Sequence, residues 1–428
     1  MIAWVLALAL AVQEKSGLAE SFSLENGLAV RVRPITGAKT AAVLVLFDIG
    51  GDHDPEGRSG LAHLVEHLYV TSAAGDGKAR TVEEVFKKYP DGHNAQTGER
   101  YTLVCSVVPA GSLEDELADA AARLGDLRIQ AGDLDRERPR VLAEVENMFG
   151  RIPELGVRNR AGEQIRPTPR GGRRGGRPDH VAAITLDDVR DHWKRYYKPR
   201  NAILVVSGAC DPKKTREWIV KRFTALPAGA PPPEPGAPGA SPAAAVEAVQ
   251  ARPLAPETPS YAGVAYAVPA PGSDLYAPFL VLTIRLQSQA SKLGAEPGRF
   301  PVMFAPLDDP SKLTATVPLK GGETAGQAVE RLDAFVAQAV GPGLKGGEGQ
   351  RVLQSFGFLL GLIDLPEAAL AQNPYGVALI LGRSRQLGVD PAKLKERIQG
   401  LKEEDLRRAA KEIFAPGRRG AAVVTVKD

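Results

Sequence analysis

Apolar and polar positions follow two rhythms in the first half of the chain. "LAVRVRP", "AAVLVLFDIG" and "ERYTLVCSVVP" are short runs rich in β-branched residues, and they predict strands. "GLAHLVEHLYVTS" and "TVEEVFKKYP" carry the longer period of helices, and "SLEDELADAAARLGDLRI" and "DRERPRVLAEVENMFGR" predict two more. Strands mixed with helix pairs predict an α+β fold in which helices cover a mostly antiparallel sheet.

The pattern breaks at residues 227–259, "PAGAPPPEPGAPGASPAAAVEAVQARPLAPETP", where Pro, Ala and Gly leave too few large apolar residues for a core. Read as a linker, it separates lobes at 20–226 and 260–428, in a chain of 428 residues that is too long for one ordinary core. "LDDVRDHWKRYYKPRNAILVVSG" can be laid over "EEDLRRAAKEIFAPGRRGAAVVTV" at an offset of 217, so that Asp188 meets Asp405, Tyr197 meets Phe414 and Pro199 meets Pro416. Each copy reads as an amphipathic helix, a Pro stop and a β-branched strand, at the end of its lobe. Duplication therefore predicts two homologous lobes, each a sheet covered by helices.

Composition narrows the classes. Lys+Arg 54 against Asp+Glu 51 is nearly balanced, which gives little reason to expect a nucleic-acid or membrane-surface partner. Cys105 and Cys210 can make neither a disulfide framework nor a thiolate metal site, and both sit in apolar runs as small hydrophobes. At residues 1–19 an apolar run from Ile2 to Val12 is too short to span a bilayer. It resembles the apolar part of a signal peptide, with Ala9-Leu10-Ala11 as a cleavage site. The expectation is a periplasmic or secreted protein; the missing basic residue before the run keeps a cytoplasmic location as the alternative.

"GLAHLVEHLY" carries the candidate chemistry. It puts His63, Glu66 and His67 on a helix stripe shared with Leu61, Leu64 and Leu68, in a chain with only six histidines. On a helix His63 and His67 stand one turn apart, so both imidazoles can reach one metal, and Glu66 can touch a metal-bound water as general base without being a ligand. The plainer alternative is a hydrogen-bonded polar cluster in a core helix, whose burial is costly without partners. His-x-x-Glu-His is a signature of inverted zinc peptidases. Catalytic zinc takes three protein ligands, and the helix "DRERPRVLAEVENMFG" offers carboxylates for the third.

With these residues the first lobe resembles the pitrilysin, insulin-degrading enzyme and mitochondrial processing peptidase family, in its short two-domain form. "LENGLAVRVRP", "GHNAQTGERYTLVCSV" and "ITLDDVRDHWKRYYKPRNAILVVSGACD" match its segments, and with the second copy the resemblance covers almost the whole chain. The family's third ligand is a Glu 77 positions after the second His, with another important Glu seven residues before it; here these are Glu144 and Glu137. The resemblance thus implies a zinc metalloendopeptidase with Zn2+ on His63, His67 and Glu144, Glu66 as base, and Glu137 orienting the site. It also implies that peptide pairs with an edge strand that follows the Asn-Ala-x-Thr run beginning at Asn94, and that Asn94 holds substrate backbone. An ordinary turn role for Asn94 is the alternative.

The chain departs from the family pattern in three places. The 217 offset puts Leu280, Thr283 and Ile284 where the first lobe has His63, Glu66 and His67, and the second lobe has no histidine. Active members use an Arg and a Tyr of a zinc-less domain to bind substrate and polarise the scissile carbonyl; "KLGAEPGRFPVMFAPL" has Arg299 but no Tyr at useful spacing. This points to a partner, a homologous zinc-less subunit in a heterodimer ahead of a homodimer, that supplies the pair. "RNRAGEQIRPTPRGGRRGGRP", residues 158–178, holds seven arginines and reads as a solvated variable loop; it has no aromatic to stack on bases. The expected function is hydrolysis of peptides or unfolded segments. The alternative is a zinc-retaining scaffold subunit that does no chemistry, and a nucleic-acid binder ranks last.

Overall fold

The computed structural model describes residues 19–166, 175–235, 246–251, 258–294, 300–306, 308, 310–343, 345–357 and 365–426. The expected leader, save Ala19, lies outside them, as do Arg299 and the middle of the arginine-rich stretch.

Two sheets frame the chain. The first is built from β1 (Glu20–Ser23), β2 (Ala29–Pro34), β3 (Thr40–Phe47), β5 (His93–Thr97), β6 (Thr102–Pro109) and β8 (Ala202–Gly208), in the order β1-β2-β8-β3-β6-β5. A short pair, β4 (Ala73–Ala74) with β7 (Leu127–Arg128), stands apart. The second sheet takes β9 (Val246–Ala251), β10 (Tyr261–Ala267), β11 (Val302–Phe304), β12 (Lys312–Pro318) and β13 (Gly420–Val426), in the order β11-β12-β10-β13-β9. Among the described residues, only β2–β8 and β9–β13 pair in parallel. Read from β9 to β11, the second sheet repeats the first from β2 to β5, strand for strand and direction for direction. The repeated helix-Pro-strand unit supplies β8 and β13 at matching places. Six residues of the segment read as linker form β9, the counterpart of β2.

In the first lobe α1 (Leu61–Thr71), α2 (Val82–Lys88), α3 (Leu113–Gly125), α4 (Ala131–Glu146), α5 (Pro153–Ile165), α6 (Pro178–Ala183), α7 (Leu186–Tyr196) and α8 (Pro212–Phe223) follow the strands. The second lobe has α9 (Tyr276–Ser288), α10 (Ala325–Val340), α11 (Glu348–Phe356), α12 (Glu367–Leu370), α13 (Pro374–Gln386), α14 (Pro391–Gln399) and α15 (Glu403–Ile413). α1 packs its leucines with α3, α7 and α8 over one face of the first sheet, against Val43, Val45 and Phe47. α9, α10, α11, α14 and α15 do the same for the second sheet.

Each lobe lends a helix to the back of the other's sheet. α13 lies on the reverse face of the first sheet, where Val377, Ala378 and Leu381 bury Ala42, Leu44 and Leu46. α5 lies on the reverse face of the second, Val157 and Ala161 against Tyr261, Ala265, Ala422 and Val424. Both faces of β3 are therefore covered, which is why "AAVLVLF" is apolar throughout rather than alternating. The approach is close: a Cβ on Gly382 would come within 2.7 Å of Leu44 Cδ2. Ser207 Oγ donates to the Pro374 carbonyl (2.6 Å), and Gln164 Oε1 accepts from Ala421 N (2.9 Å).

This exchange corrects the reading of residues 158–178 as a solvated loop. Through Ile165 the stretch is the helix α5, and Arg158 and Arg160 are buried, Arg158 between the lobes. Arg158 is accommodated because its guanidinium spends its donors on Glu154 (2.7 Å), Thr314 (2.9 Å), Thr316 (2.7 Å) and the Phe300 carbonyl (2.7 Å).

Candidate active site

α1 carries the histidine motif into a cavity of about 480 Å³ between the lobes. Its start has no side-chain cap of its own, since Gly60 sits there with φ 95°. Asp54 serves instead: its carboxylate accepts from Gly60 N (2.7 Å) and Ala62 N (2.9 Å), tying down orphan donors at the helix start. Burial raises the Asp54 pKa to about 7 against these backbone hydrogen bonds, which favour the charged form.

The spacing argument holds in three dimensions. The ligand atoms of His63, His67 and Glu144 all lie within 4.8 Å of one another, the one such cluster among the described residues. Glu144, at the end of α4, reaches His63 Nε2 at 3.3 Å and His67 Nε2 at 3.6 Å. A tetrahedral zinc with bonds of about 2.0–2.1 Å sets its ligand atoms roughly 3.4 Å apart, so these residues fit the ion. The outer imidazole nitrogens are also held. His63 Nδ1 meets the Gly175 carbonyl at 2.9 Å and His67 Nδ1 meets Glu137 Oε2 at 3.5 Å, contacts that turn both Nε2 atoms inward.

Glu137 is fully buried seven residues before Glu144, and Arg136 Nε donates to its other oxygen (3.0 Å). Burial works against its charge, but His67 and Arg136 prevail and lower its pKa. The same balance acts on Glu144, whose pKa falls because the two histidines outweigh desolvation. For His67 burial disfavours the proton, yet Glu137 and Glu144 together push its pKa up to about 10. A cation at this point thus meets a cluster already arranged for positive charge.

Glu66 points into the cavity, buried, with its pKa raised by desolvation. Thr97 Oγ1 donates to Glu66 Oε2 at 2.7 Å, linking the candidate base to β5, the open edge of the first sheet. Asn94 stands on the same strand but is exposed and does not line the cavity; its amide donates to the Tyr375 hydroxyl of α13 (2.9 Å). His53, His93, His180 and His192 stand outside this cluster.

Sequence reasoning missed three contributors. Asp54 caps α1 from a loop at no fixed spacing, and Gly175 acts through a carbonyl that any residue has. Thr97 was within reach, since it closes the Asn-Ala-x-Thr run; that run itself forms the edge strand β5, and the strand expected to be the edge, β6, lies inside the sheet. Across the cavity the cations are already engaged: Arg158 as described, and Lys312 with Glu99 (3.4 Å). Tyr101 donates its hydroxyl to Asp308 (2.9 Å).

Two family models match the chain: insulinase (peptidase family M16) over residues 32–159, and peptidase M16 inactive domain over residues 183–296. A probable mitochondrial-processing peptidase subunit beta from Arabidopsis thaliana is 26% identical over 204 residues, 48% of this chain and 38% of that protein. The zinc protease PqqE of Helicobacter pylori is 28% identical over 216 residues, 48% of this chain and 47% of that protein. The chain thus covers less than half of either relative's length. Among solved structures, a protease from Helicobacter pylori superposes with a TM-score of 0.78 at 21% identity, covering 96% of this chain and 99% of that one. A peptidase M16 inactive domain from Pseudomonas fluorescens gives 0.73 at 14% identity, covering 96% and 98%. These two share the fold. With its histidine helix inside the first matched model and its second lobe entered by the other, the chain belongs to peptidase family M16, the insulinase family.

Proposed function

We propose that the chain is a zinc-dependent endopeptidase subunit that hydrolyses peptides or unfolded segments. The observation that carries this reading is the convergence of His63, His67 and Glu144 beside a buried Glu66, in a cavity open to a sheet edge. A zinc ion held by the three ligands would polarise a scissile carbonyl and make water acidic enough to ionise near neutral pH. Glu66 would take the proton from the attacking water and pass it to the leaving amine. Its desolvated carboxylate, with the raised pKa just described, suits a group that must carry a proton in mid-reaction. Thr97 holds that carboxylate in place, and Glu137 and Gly175 fix the two imidazoles. Peptide would pair with β5 as an added strand, Asn94 offering its amide oxygen to the backbone.

Arg158, Lys312 and Tyr101, the cavity's own candidates for stabilising an oxyanion, all have partners. This supports a homologous zinc-less subunit as the source of that function. It equally supports a second reading, a zinc-retaining scaffold without chemistry, although such a subunit has no use for Glu66. Cleavage of quenched fluorescent peptides by the zinc-loaded chain, with Glu66→Gln as control, decides between them. We expect the substitution to lower turnover at least a hundredfold while zinc stays bound. Zinc binding with no cleavage, alone or with a zinc-less homologue, would sink the peptidase reading in favour of the scaffold.

A further inference from the structure

The strand that steadies Glu66 is itself held by the other lobe. β5 turns into β6 through residues 98–101, and Thr97, the donor to Glu66, is the last residue before that tip. Within its own lobe the tip is fixed by backbone hydrogen bonds. Gly98 N donates to the Tyr101 carbonyl (2.8 Å), Gly51 N to the Gly98 carbonyl (3.1 Å) and Asp52 N to the Glu99 carbonyl (2.7 Å). The Tyr101 ring lies against Gly98, where a side chain would collide with it.

From there Tyr101 reaches into the second lobe. Its ring is 3% exposed, and the guanidinium carbon of Arg383, on α13, stands 3.6 Å from the ring centroid. Its hydroxyl donates to Asp308 (2.9 Å), just beyond β11, and Asp308 is held in turn because its N–H donates to the Ala305 carbonyl (3.2 Å). Glu99 makes a further tie to Lys312 of β12 (3.4 Å). Ring face, ring tip and the neighbouring carboxylate are thus all gripped by elements of the second lobe. β5 needs such support, because as an edge strand it is paired along one side only, with β6.

We infer that Tyr101 is a positioning residue: through Gly98 and Thr97 it passes the second lobe's hold to Glu66, so a lobe that supplies no candidate ligand sets the aim of the base. The inference rests on the peptidase reading and deepens it. The candidate ligands stand on α1 and α4, away from the tip, so slack at Tyr101 should misplace the base and leave the metal cluster intact. A displacement of about 1 Å in a reacting group can cost on the order of a hundredfold in rate, so even a small loosening is measurable.

The test uses the zinc-loaded full chain grown with methyl-labelled threonine. It compares the parent with Tyr101→Phe, which keeps the ring, Asp308→Ala, the two combined, and Asp308→Asn, which keeps an acceptor oxygen. Each single loss should move the Thr97 methyl signal and lower kcat on quenched fluorescent peptides about tenfold, with KM and zinc affinity within about twofold of the parent. The combined variant should be no worse than either single one, and Asp308→Asn should restore the rate. A still Thr97 signal, an unchanged kcat, additive losses, or losses shared equally with KM and zinc affinity would overturn the inference. If the parent cleaves nothing, the peptidase reading falls, and the Thr97 signal, which needs no turnover, still decides whether Tyr101 holds the strand.

Discussion

In the first lobe α1 meets α4 through His63, His67, Glu137 and Glu144; in the second, α9 meets α11 through Arg285 and Glu348. Arg285 and Glu348 are both buried and bind in a fork, at 2.7 and 2.6 Å, with two further guanidinium donors on the Pro342 (2.6 Å) and Gly343 (2.8 Å) carbonyls. That arrangement closes on itself: opposite charges cancel and four of the five guanidinium donors are spent. In the first lobe two imidazole nitrogens and a carboxylate converge on one point, and that set is complete only around a cation. A duplicated helix pair has thus been built once as a locked joint and once as an open cluster of candidate ligands.

The comparison predicts opposite responses to truncation. Glu348→Ala should destabilise the chain by about 3–5 kcal/mol in denaturant unfolding, because it strands a buried guanidinium; Arg285→Met with Glu348→Leu should come back close to the parent. A single-variant cost under about 1 kcal/mol would mean the joint is not locked. Glu137→Gln, by contrast, keeps the shape of its site but gives His67 a weaker partner. Zinc affinity should fall roughly 10- to 100-fold by competition with a chromogenic chelator. Unchanged affinity would remove Glu137 from the site.

What the chain discloses without coordinates follows the same division. The His63–Glu66–His67 stripe is legible because helical geometry converts spacing directly into a shared face, and α1 places all three as that geometry requires. The repeat is legible at Pro199 and Pro416, which stop equivalent helices ahead of equivalent strands. The exchange of α5 and α13 is harder to foresee, because it depends on which sheet a helix covers, a property of packing between residues as distant in the chain as Leu44 and Leu381 or Ala161 and Ala422. Its trace was the unbroken apolar run of β3, which a sheet covered on one face does not need. Arg158 misled for a related reason: its buried guanidinium is tolerated because hydroxyls and a carbonyl of the other lobe receive it.

Acid should separate the lobes as well. His192 on α7 is buried, its Nε2 has no hydrogen-bond partner, and burial lowers its pKa to about 3. Its counterpart at the 217 offset is Ala409, on α15. Because the folded pKa lies below the unfolded value near 6.5, the unfolded chain takes up more protons, so stability falls as pH drops from about 6.5 toward 3. Between pH 7 and pH 5 the loss should be about 2 kcal/mol, read as the slope of unfolding free energy against pH. His192→Ala, which copies the second lobe, should flatten that slope whatever it does to stability at neutral pH. A slope unaltered by the substitution would assign the acid sensitivity elsewhere.

The smallest effect bears most directly on the comparison. At the 217 offset Thr283 of α9 stands where α1 has Glu66; it is fully buried and its hydroxyl has no hydrogen-bond partner. The position has lost its carboxylate but keeps a polar atom, and an unpaired buried hydroxyl costs roughly 1–3 kcal/mol of desolvation. Thr283→Val retains the branched shape and removes that cost, so the variant should be as stable as the parent or more stable by up to about 1 kcal/mol. The opposite result, a loss of about 1 kcal/mol or more at the denaturation midpoint, would mean that the hydroxyl finds a partner in solution. The second lobe would then retain a polar site where the first has Glu66, and the contrast between a locked joint and an open cluster would be one of degree.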